Sequence, residues 1–289
     1  MRDIETGKKK YTYITILILL ILSFPIILGY LLLILSSFST HMITNLDFTS
    51  FSFTLKNWIM IFQGNLSTLG GIKNDISSII LNTCIVALGV SIVVTFVSTL
   101  SAYSLSRMDF KGRKELMILL LLLHAFPGVA LIIGVYLLYF LTLPKSYDLI
   151  RVYSFIYVIL ARAALEIPMS VWIMKGFFDN IPWELEWAGV IDGASRIKIW
   201  WKIMLPLVKP GILAVSLFAF LAGWEDIIYV RTFLFDQTLA TFIESNINVE
   251  FSQMPLIAAV GTLYLLPTIV FFIIAQKLLL KSYSGGVKG

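Results

Sequence analysis

Six long runs of apolar residues dominate the pattern of this chain. They lie near 14–35, 78–105, 116–141, 153–174, 207–228 and 256–280. A helix needs roughly 20 residues to cross the hydrocarbon core of a bilayer. Most of these runs show no clear polar face, so their length, rather than their periodicity, separates them from buried core helices. The sequence predicts an all-α integral membrane protein with six transmembrane helices.

The composition agrees with this prediction. Apolar residues make up 58% of the 289 positions and charged residues only 13%, whereas a soluble domain is about one-quarter charged. The first run follows Lys8, Lys9 and Lys10, as a signal peptide would. At about 22 residues it exceeds the roughly 7–15 apolar residues of a signal peptide, so we expect a retained helix.

The cations indicate an orientation. If the N-terminus is cytoplasmic, 16 of the 22 Lys and Arg residues fall on the cytoplasmic side and five on the outer side, with Arg162 inside the fourth run. Such a bias sets topology during insertion. We therefore expect a cytoplasmic tail at 1–13 and a single membrane domain at 14–289 with a cytoplasmic C-terminus. Within that domain we expect an outer loop near 36–77 and a cytoplasmic loop at 175–206.

Residues that could carry catalysis or bind a metal are sparse. Cys84 is the only cysteine, which excludes a disulfide within the chain. His41 and His124 lie on different segments, so we predict no metal site and no catalytic residue. No G-x-x-x-x-G-K-[ST] loop is present to hold nucleotide phosphates. The positive net charge follows from topology, and no basic–aromatic pattern indicates a nucleic-acid partner.

The segment 182–206 is a polar insertion between apolar runs, and it reads as two short amphipathic helices. Pro182 suits a helix start, Gly193 a C-terminal stop and Ser195 the N-cap of the next helix. Apolar stripes are predicted on both helices: Trp183, Trp187, Val190 and Ile191 on the first, and Ile197, Trp200, Trp201 and Met204 on the second. Two interpretations remain open from this pattern: helices lying in the lipid headgroup layer, or a docking surface for a cytosolic partner.

The same segment resembles the cytoplasmic loop of ATP-binding-cassette importer permeases. Their pattern reads E-A-A, three residues, Gly, nine residues, I-x-L-P. This chain has Trp187-Ala188-Gly189, Gly193 and Ile203-Met204-Leu205-Pro206 at that spacing, with Asp192-Gly193-Ala194 similar to the family's D-G-A. The chain departs from the pattern at its leading Glu, which is replaced by Trp187, while Glu186 lies one residue earlier.

Shorter segments resemble the maltose-type carbohydrate subfamily of these permeases. They are SLSRMDFKGRK at 104–114, FTLKNW at 53–58, Trp224-Glu225-Asp226 where W-N-E is usual, and GVKG at 286–289. The chain is similar to the subunit of such importers that lacks a large outer domain.

The resemblance implies an assembly of several chains. Two permease subunits would form a pore, two ATP-binding subunits would bind ATP and Mg, and an extracytoplasmic solute-binding protein would deliver a sugar. This chain would hold no cofactor. Segment 182–206 would be set in a cleft of one ATPase, and its coupling residues would be Glu186, Trp187, Ala188, Gly189, Asp192, Gly193, Ala194, Leu205 and Pro206.

A few polar residues within or beside the runs are candidates for a solute path. Arg162 and Glu166 are four residues apart on one helix face, where they could meet solute in a wet cavity or pair with each other. Glu225 and Asp226 could bind sugar hydroxyls while Trp224 stacks on a ring, or they could form a solvated helix end.

Two alternative functions remain. One is an importer permease of the same class for a solute other than a sugar. The other is an ion-coupled carrier that uses Arg162 and Glu166 as a charge relay, although the inverted repeats common in such carriers are not evident. Pro127, Pro168 and Pro267 each interrupt a run, which fits the kinked helices of a gated pore and also occurs in static helix bundles.

Overall fold

The computed structural model describes residues 2–43, 51–64, 75–247 and 253–285. Parts of the predicted outer loop, at 44–50 and 65–74, and the C-terminal GVKG lie outside the described residues. Within these ranges helices are joined by turns and short loops, and one isolated antiparallel bridge links Ser39 and Phe53. An all-α fold is therefore confirmed.

The described helices follow the apolar runs closely. They are α1 (Arg2–Ser37), α2 (Lys56–Phe62), α3 (Ile76–Arg107), α4 (Arg113–Ala125), α5 (Gly128–Thr142), α6 (Tyr147–Asp179), α7 (Trp183–Ile191), α8 (Arg196–Ile199), α9 (Leu205–Leu207), α10 (Lys209–Trp224), α11 (Ile228–Phe233), α12 (Leu239–Ser245) and α13 (Met254–Gly285). A π-helical turn at Trp200–Met204 joins α8 to α9.

Four of the described helices are long and apolar enough to cross a membrane by themselves. These spans are Ile14–Ser37, Ile76–Arg107, Leu149–Asp179 and Met254–Ile274. Two bent pairs raise the number to six if each pair is one span: α4 with α5, and Arg196–Leu207 with α10. The six predicted runs therefore all correspond to helical segments, but two of them are not straight helices.

The third predicted run, 116–141, is broken near its middle. Helices α4 and α5 meet at an angle of 97°, and between them Phe126 and Pro127 are both extended. Proline disfavours the helical conformation of the residue before it, which ends α4. Pro168 and Pro267, by contrast, each lie inside a helix that continues past them.

Two helix ends near the 182–206 segment differ from the bounds of the predicted runs. Helix α6 continues to Asp179, so the loop expected from residue 175 begins inside it. The fifth run, expected at 207–228, bends by 78° before α10, and α10 ends at Trp224. Apolar composition marks where a chain can enter a bilayer but does not mark where its helix stops.

The chain divides into two compact units. One comprises Met1–Ile76 with Ser245–Leu266, and in it Asn57 on α2 donates hydrogen bonds to backbone oxygens at the end of α1. The other comprises Ser77–Glu244 with Pro267–Gly289 and holds the 182–206 segment.

The core of the second unit lies where α3, α6 and α10 pack together. Its fully buried members include Val90 on α3, Met174 on α6 and Val215 on α10. Gly223 allows a close approach of α10 to α3, because a Cβ there would lie 2.9 Å from the Cα of Ala87. Small residues commonly permit such contacts between membrane helices. This packing fixes the ends of α3 and α6, on which the 182–206 segment rests.

Candidate functional site

Helix α7 ends as the sequence predicts, with a left-handed glycine. Gly193 has φ of +73°, and its N–H donates to Val190 O at 3.0 Å, while Ala194 N–H donates to Gly189 O at 3.0 Å. This pair of bonds is the Schellman arrangement, which satisfies the last carbonyls of a helix. The predicted stop at Gly193 is therefore confirmed.

The second helix of the segment begins as predicted and then changes its winding. Ser195 Oγ accepts a hydrogen bond from Lys198 N at 3.4 Å, which confirms the N-cap. After four residues the chain enters the π-helical turn, which has more residues per turn than an α-helix. The predicted stripe is therefore split: Ile197 and Trp201 are exposed, whereas Met204 is fully buried.

The apolar stripe predicted on α7 is exposed, although the ring of Trp183 also contacts Arg107. Trp183, Trp187, Val190 and Ile191 are all exposed. The buried residues of α7 are Glu186 and Gly189. A helix that buries its glutamate and exposes its tryptophans inverts the usual arrangement of a surface helix in water.

Glu186 attaches α7 to the end of α3. Its Oε1 accepts a hydrogen bond from the Tyr103 hydroxyl at 2.8 Å. Its Oε2 lies 3.5 Å from Arg107 Nε, and both of these atoms are buried. Glu186 lies one residue before the position of the leading Glu in the family pattern. Its carboxylate is on the face of α7 that packs against α3.

Arg107 joins three parts of the site, and sequence reasoning did not single it out. One guanidinium nitrogen, Nη2, donates to the carbonyl oxygens of Phe178 at 2.7 Å and Ile181 at 2.5 Å. These carbonyls close the C-terminal end of α6, where helix dipoles favour a cation. The guanidinium carbon also lies 4.5 Å from the centre of the Trp183 ring. The signal in the sequence was the Arg of SLSRMDFKGRK, which only the fold connects to α7.

A second contact holds the same helix ends together. Asp179, the last residue of α6, accepts a hydrogen bond from Ser106 Oγ at 2.6 Å. Lys175 donates to the other Asp179 oxygen at 2.5 Å. The C-terminal ends of α3 and α6 are therefore joined to each other where α7 packs.

The remaining predicted coupling residues line the surface of this segment or support it. Ala188, Asp192 and Pro206 are exposed, and Ala194 and Leu205 are half-buried. A Cβ on Gly189 would lie 3.0 Å from both Ile199 and Ile203, so this glycine lets α7 pack closely against the second helix.

The exposed part of the segment carries several apolar side chains, defined here as the docking face. Its members are Trp183, Trp187, Val190, Ile191, Ile197 and Trp201. Exposed apolar side chains of this kind mark sites of contact with a protein or a membrane.

Away from the docking face, Arg162 lies at the centre of a second charged group. Its Nη1 is 2.9 Å from Glu166 Oε1, and its Nε is 3.0 Å from Asp226 Oδ2. The Nε also donates to Ala222 O at 3.2 Å. The predicted pairing of Arg162 with Glu166 is present, and Asp226, which lies far away in the sequence, is a second carboxylate partner.

Asp226 also starts α11. Its Oδ1 accepts hydrogen bonds from the backbone N–H groups of Tyr229 at 2.9 Å and Val230 at 3.0 Å. Tyr229 in turn donates its hydroxyl to Gly128 O at 2.8 Å, beside the break between α4 and α5. The charged group therefore connects α6 and α10 to α11, and α11 to the bent pair.

The other two residues of the candidate solute path lie in different environments. Trp224 is only 5% exposed and stacks on Phe220 with ring centres 5.5 Å apart. Its indole is thus packed within the chain rather than presented to a solute. Glu225 is exposed beside Asp226.

Among the residues that the structure describes, no group of three or more His, Cys, Asp and Glu side chains is placed to hold a metal ion. Glu186, Arg162 and Asp226 are engaged in ion pairs or in hydrogen bonds at helix ends.

Comparison with known proteins places these features in a family. Residues 95–285 match the model of the family described as "Binding-protein-dependent transport system inner membrane component". The matched range includes the 182–206 segment and the Arg162 group.

The chain is similar in sequence to transport system permease proteins from several organisms. The chain is 34% identical over 215 residues to the maltodextrin transport system permease protein of Bacillus subtilis, covering 72% of this chain and 74% of the relative. It is 24% identical over 289 residues to the trehalose transport system permease protein of Mycobacterium tuberculosis, covering 98% and 100%. A trehalose/maltose transport system permease protein of Thermococcus litoralis is 29% identical over 210 residues, covering 71% and 73%.

A solved structure shares the fold. A chain of a bacterial ABC transporter involved in the import of the acidic polysaccharide alginate superposes with a TM-score of 0.72 at 16% identity, covering 94% of this chain and 97% of that one. The family match spans well over half of the chain. This chain therefore belongs to the family of binding-protein-dependent transport system inner membrane components.

Proposed function

We propose that this chain is a permease subunit of an ATP-driven, binding-protein-dependent importer for a sugar or oligosaccharide. The observation that carries the proposal is the docking face, in which apolar side chains are exposed on a base held by Glu186 and Arg107. A surface that transmits motion must bind its partner through its exposed side chains and must be firmly attached to the rest of the chain. The names of the maltodextrin and trehalose relatives support a carbohydrate as the solute.

The docking face would bind a separate ATP-hydrolysing subunit. The chain has no loop for nucleotide phosphates, so ATP and Mg would be bound by two such subunits and the permease itself would not be catalytic. A second permease subunit would complete the pore, and an extracytoplasmic solute-binding protein would deliver the solute. Both termini would be cytoplasmic, because the basic segments favour that side.

ATP-driven closure of the ATPases would move the docking face and the helices fixed to it. The Glu186–Arg107 contact would pass this displacement from α7 to the ends of α3 and α6. Such transitions act by rigid-body motion of packed elements. The Arg162 group would keep α11 and α10 attached to α6 during that motion.

Two of the candidate solute-path residues, Glu225 and Glu166, remain in the proposal as contacts for the solute. Glu225 is exposed, and Glu166 retains partial exposure while paired to Arg162. These two carboxylates are the members best placed to accept hydrogen bonds from sugar hydroxyls. Trp224 would pack the helix, and Asp226 would hold Arg162 and α11.

Uptake by the reconstituted assembly tests the function. We expect vesicles holding both permeases, the ATPases and the solute-binding protein to accumulate labelled maltodextrin or trehalose only with internal ATP. Uptake that persists without ATP but with an ion gradient would contradict the importer mechanism. ATP-dependent uptake of a non-sugar, with sugars excluded, would leave the mechanism standing and contradict the sugar assignment.

A pair of surface variants tests the docking face. Ile191 is the most exposed member, so Ile191→Asp should leave the packing of α7 intact. We expect this variant to lose the co-purifying ATPase. Phe235→Asp places the same charge on another highly exposed apolar residue outside the segment and should retain the ATPase. Equal retention by both variants would contradict the docking role.

A further inference from the structure

The short helix α2 is tied to the far end of α1. Asn57 Nδ2 donates to the backbone oxygens of Ser37 at 3.1 Å and Ser39 at 2.9 Å. Trp58 Nε1 donates to Ser37 Oγ at 3.3 Å, and Thr54 N–H donates to Phe38 O at 2.8 Å. The position of α2 relative to the bilayer is therefore set by the end of α1.

The length of α1 places that end at the bilayer boundary. The apolar stretch Ile14–Ser37 has 24 residues, and none of its most apolar window is buried within the chain. At 1.5 Å per residue it measures about 36 Å, slightly more than the roughly 30 Å hydrocarbon core. The Ser37 end thus lies close to the headgroup region of one leaflet.

Helix α2 presents three different faces. Asn57, Trp58 and Ile61 form the inner face, which is packed or hydrogen-bonded within the unit. Leu55, Ile59 and Phe62 recur at i, i+4 and i+7 and are all exposed, Phe62 to 78%. Lys56 and Gln63 form an exposed polar face beside them. Among the residues that the structure describes, two of the three faces are thus exposed, one apolar and one polar.

Aromatic rings extend the apolar face toward α1. Phe53, which is highly exposed, stacks on Phe38 with ring centres 6.0 Å apart. Phe38 stacks on Trp58 at 5.5 Å, and Trp58 on Phe62 at 6.3 Å. Aromatic side chains are enriched at the membrane–water interface, where amphipathic rings sit at headgroup level.

We propose that this apolar face, Phe53, Leu55, Ile59 and Phe62, lies in the boundary between headgroups and acyl chains of the leaflet at the Ser37 end of α1. The occupant is phospholipid, because the face is held at the end of a membrane-spanning helix that is mostly exposed up to Leu31, at the depth where that helix leaves the hydrocarbon. Lys56 lies on the adjoining face, from which its long side chain reaches the headgroups. Part of the loop between α1 and α3 therefore serves as a membrane anchor, independently of what the protein transports.

Spin-label accessibility tests this placement. In a Cys84→Ser background, with cysteines removed from the associated subunits, single cysteines replace Phe62, Ile59 or Lys56 and carry a nitroxide. The full chain is measured in lipid nanodiscs with the subunits that co-purify with it. Collisions with oxygen, which partitions into lipid, are compared with collisions with a water-soluble nickel chelate, and nitroxide-labelled phospholipids calibrate depth.

We expect high oxygen accessibility at 62 and 59, with nickel accessibility several-fold lower than at 56. High nickel accessibility at 62 and 59 would overturn the proposal, because the face would then lie in water. Low accessibility to both reagents would also overturn it, by showing that another protein surface covers the face. Two labelled positions on the same face keep the test decisive if one variant does not assemble.

Discussion

Replacing Glu186 by alanine tests how the docking face is attached to the chain. The substitution leaves the exposed side chains of that face unchanged. The substitution removes the carboxylate that attaches α7 to α3. We expect α7 to detach locally while the membrane helices stay folded. The docking face would still be apolar but would no longer be held on a rigid base.

The magnitude follows from burial. The Arg107 side chain is 1% exposed and that of Glu186 is 12% exposed, and removing one partner of a buried pair costs about 3–5 kcal/mol. The lower end applies, because Arg107 keeps its hydrogen bonds to Phe178 O and Ile181 O. A loss of about 3 kcal/mol corresponds to an opening of α7 that is roughly 150-fold more populated, at tenfold per 1.4 kcal/mol.

Amide hydrogen exchange measures this opening directly. We expect peptides covering Trp183–Ile191 to exchange faster by that factor, with those of α3 and α6 nearly unchanged. Glu186→Gln keeps the shape and a hydrogen bond to Tyr103, so its effect should be smaller, about 1–2 kcal/mol.

A matched control lies on the same helix. Glu184→Ala removes an identical charge from an exposed position in the first turn, and should cost only the helix-dipole contribution of roughly 0.3–1 kcal/mol. If Glu186→Ala and Glu184→Ala accelerated exchange equally, the attachment of α7 through Glu186 would be refuted.

Three further predictions concern the segment's turn, the Arg162 group and the packing of α10. Gly193→Ala places a Cβ on a residue with φ of +73° and should destabilise the turn by about 1–2 kcal/mol, lowering ATPase co-purification, whereas Gly193→Asn should be milder; equal effects would count against the left-handed geometry. Arg162→Met should destabilise the chain strongly in thermal unfolding. Combining it with Asp226→Asn should restore more than combining it with Glu166→Gln, since the Asp226 side chain is 8% exposed and that of Glu166 23%; simple additivity in both double-mutant cycles would remove the coupling. Gly223→Val should lower the thermal unfolding temperature, because the backbone of α3 blocks the new side chain, and an unchanged temperature would show that the helices do not approach so closely.

Much of the fold could be predicted because its signals are local. Apolar runs long enough to span a bilayer identify the membrane helices, whatever their neighbours. The ends of α7 and α8 depend on Gly193 and Ser195, whose conformational preference and capping oxygen act within a few residues. The break at Pro127 was visible as an interruption, but its 97° angle was not, since a proline ends a helix without specifying the direction of the next one.

The candidate site could be predicted only in part. A strict motif alignment places the leading position of the pattern at Trp187, but one residue along a helix is a rotation of about 100°. The side that faces α3 therefore belongs to Glu186, and Trp187 is exposed. The prediction of an apolar stripe on the second helix was only half right. The π-helical turn changes which residues share a face, and no recognised sequence pattern marks such a turn.

By itself, the sequence determined that the chain is a helical membrane protein with a polar helix–glycine–helix segment, because hydropathy, proline and glycine act on their own surroundings. The tertiary structure alone decided which charges meet over long distances in the chain. Arg107 meets Glu186, and Arg162 meets Asp226 in addition to its helix neighbour Glu166. No local pattern links Arg107 to Glu186 or Arg162 to Asp226. A buried charge must be paired, but which opposite charge it meets depends on how α3, α6, α7 and α10 pack. That packing also turned the tryptophans of α7 outward, onto a surface fit for a partner.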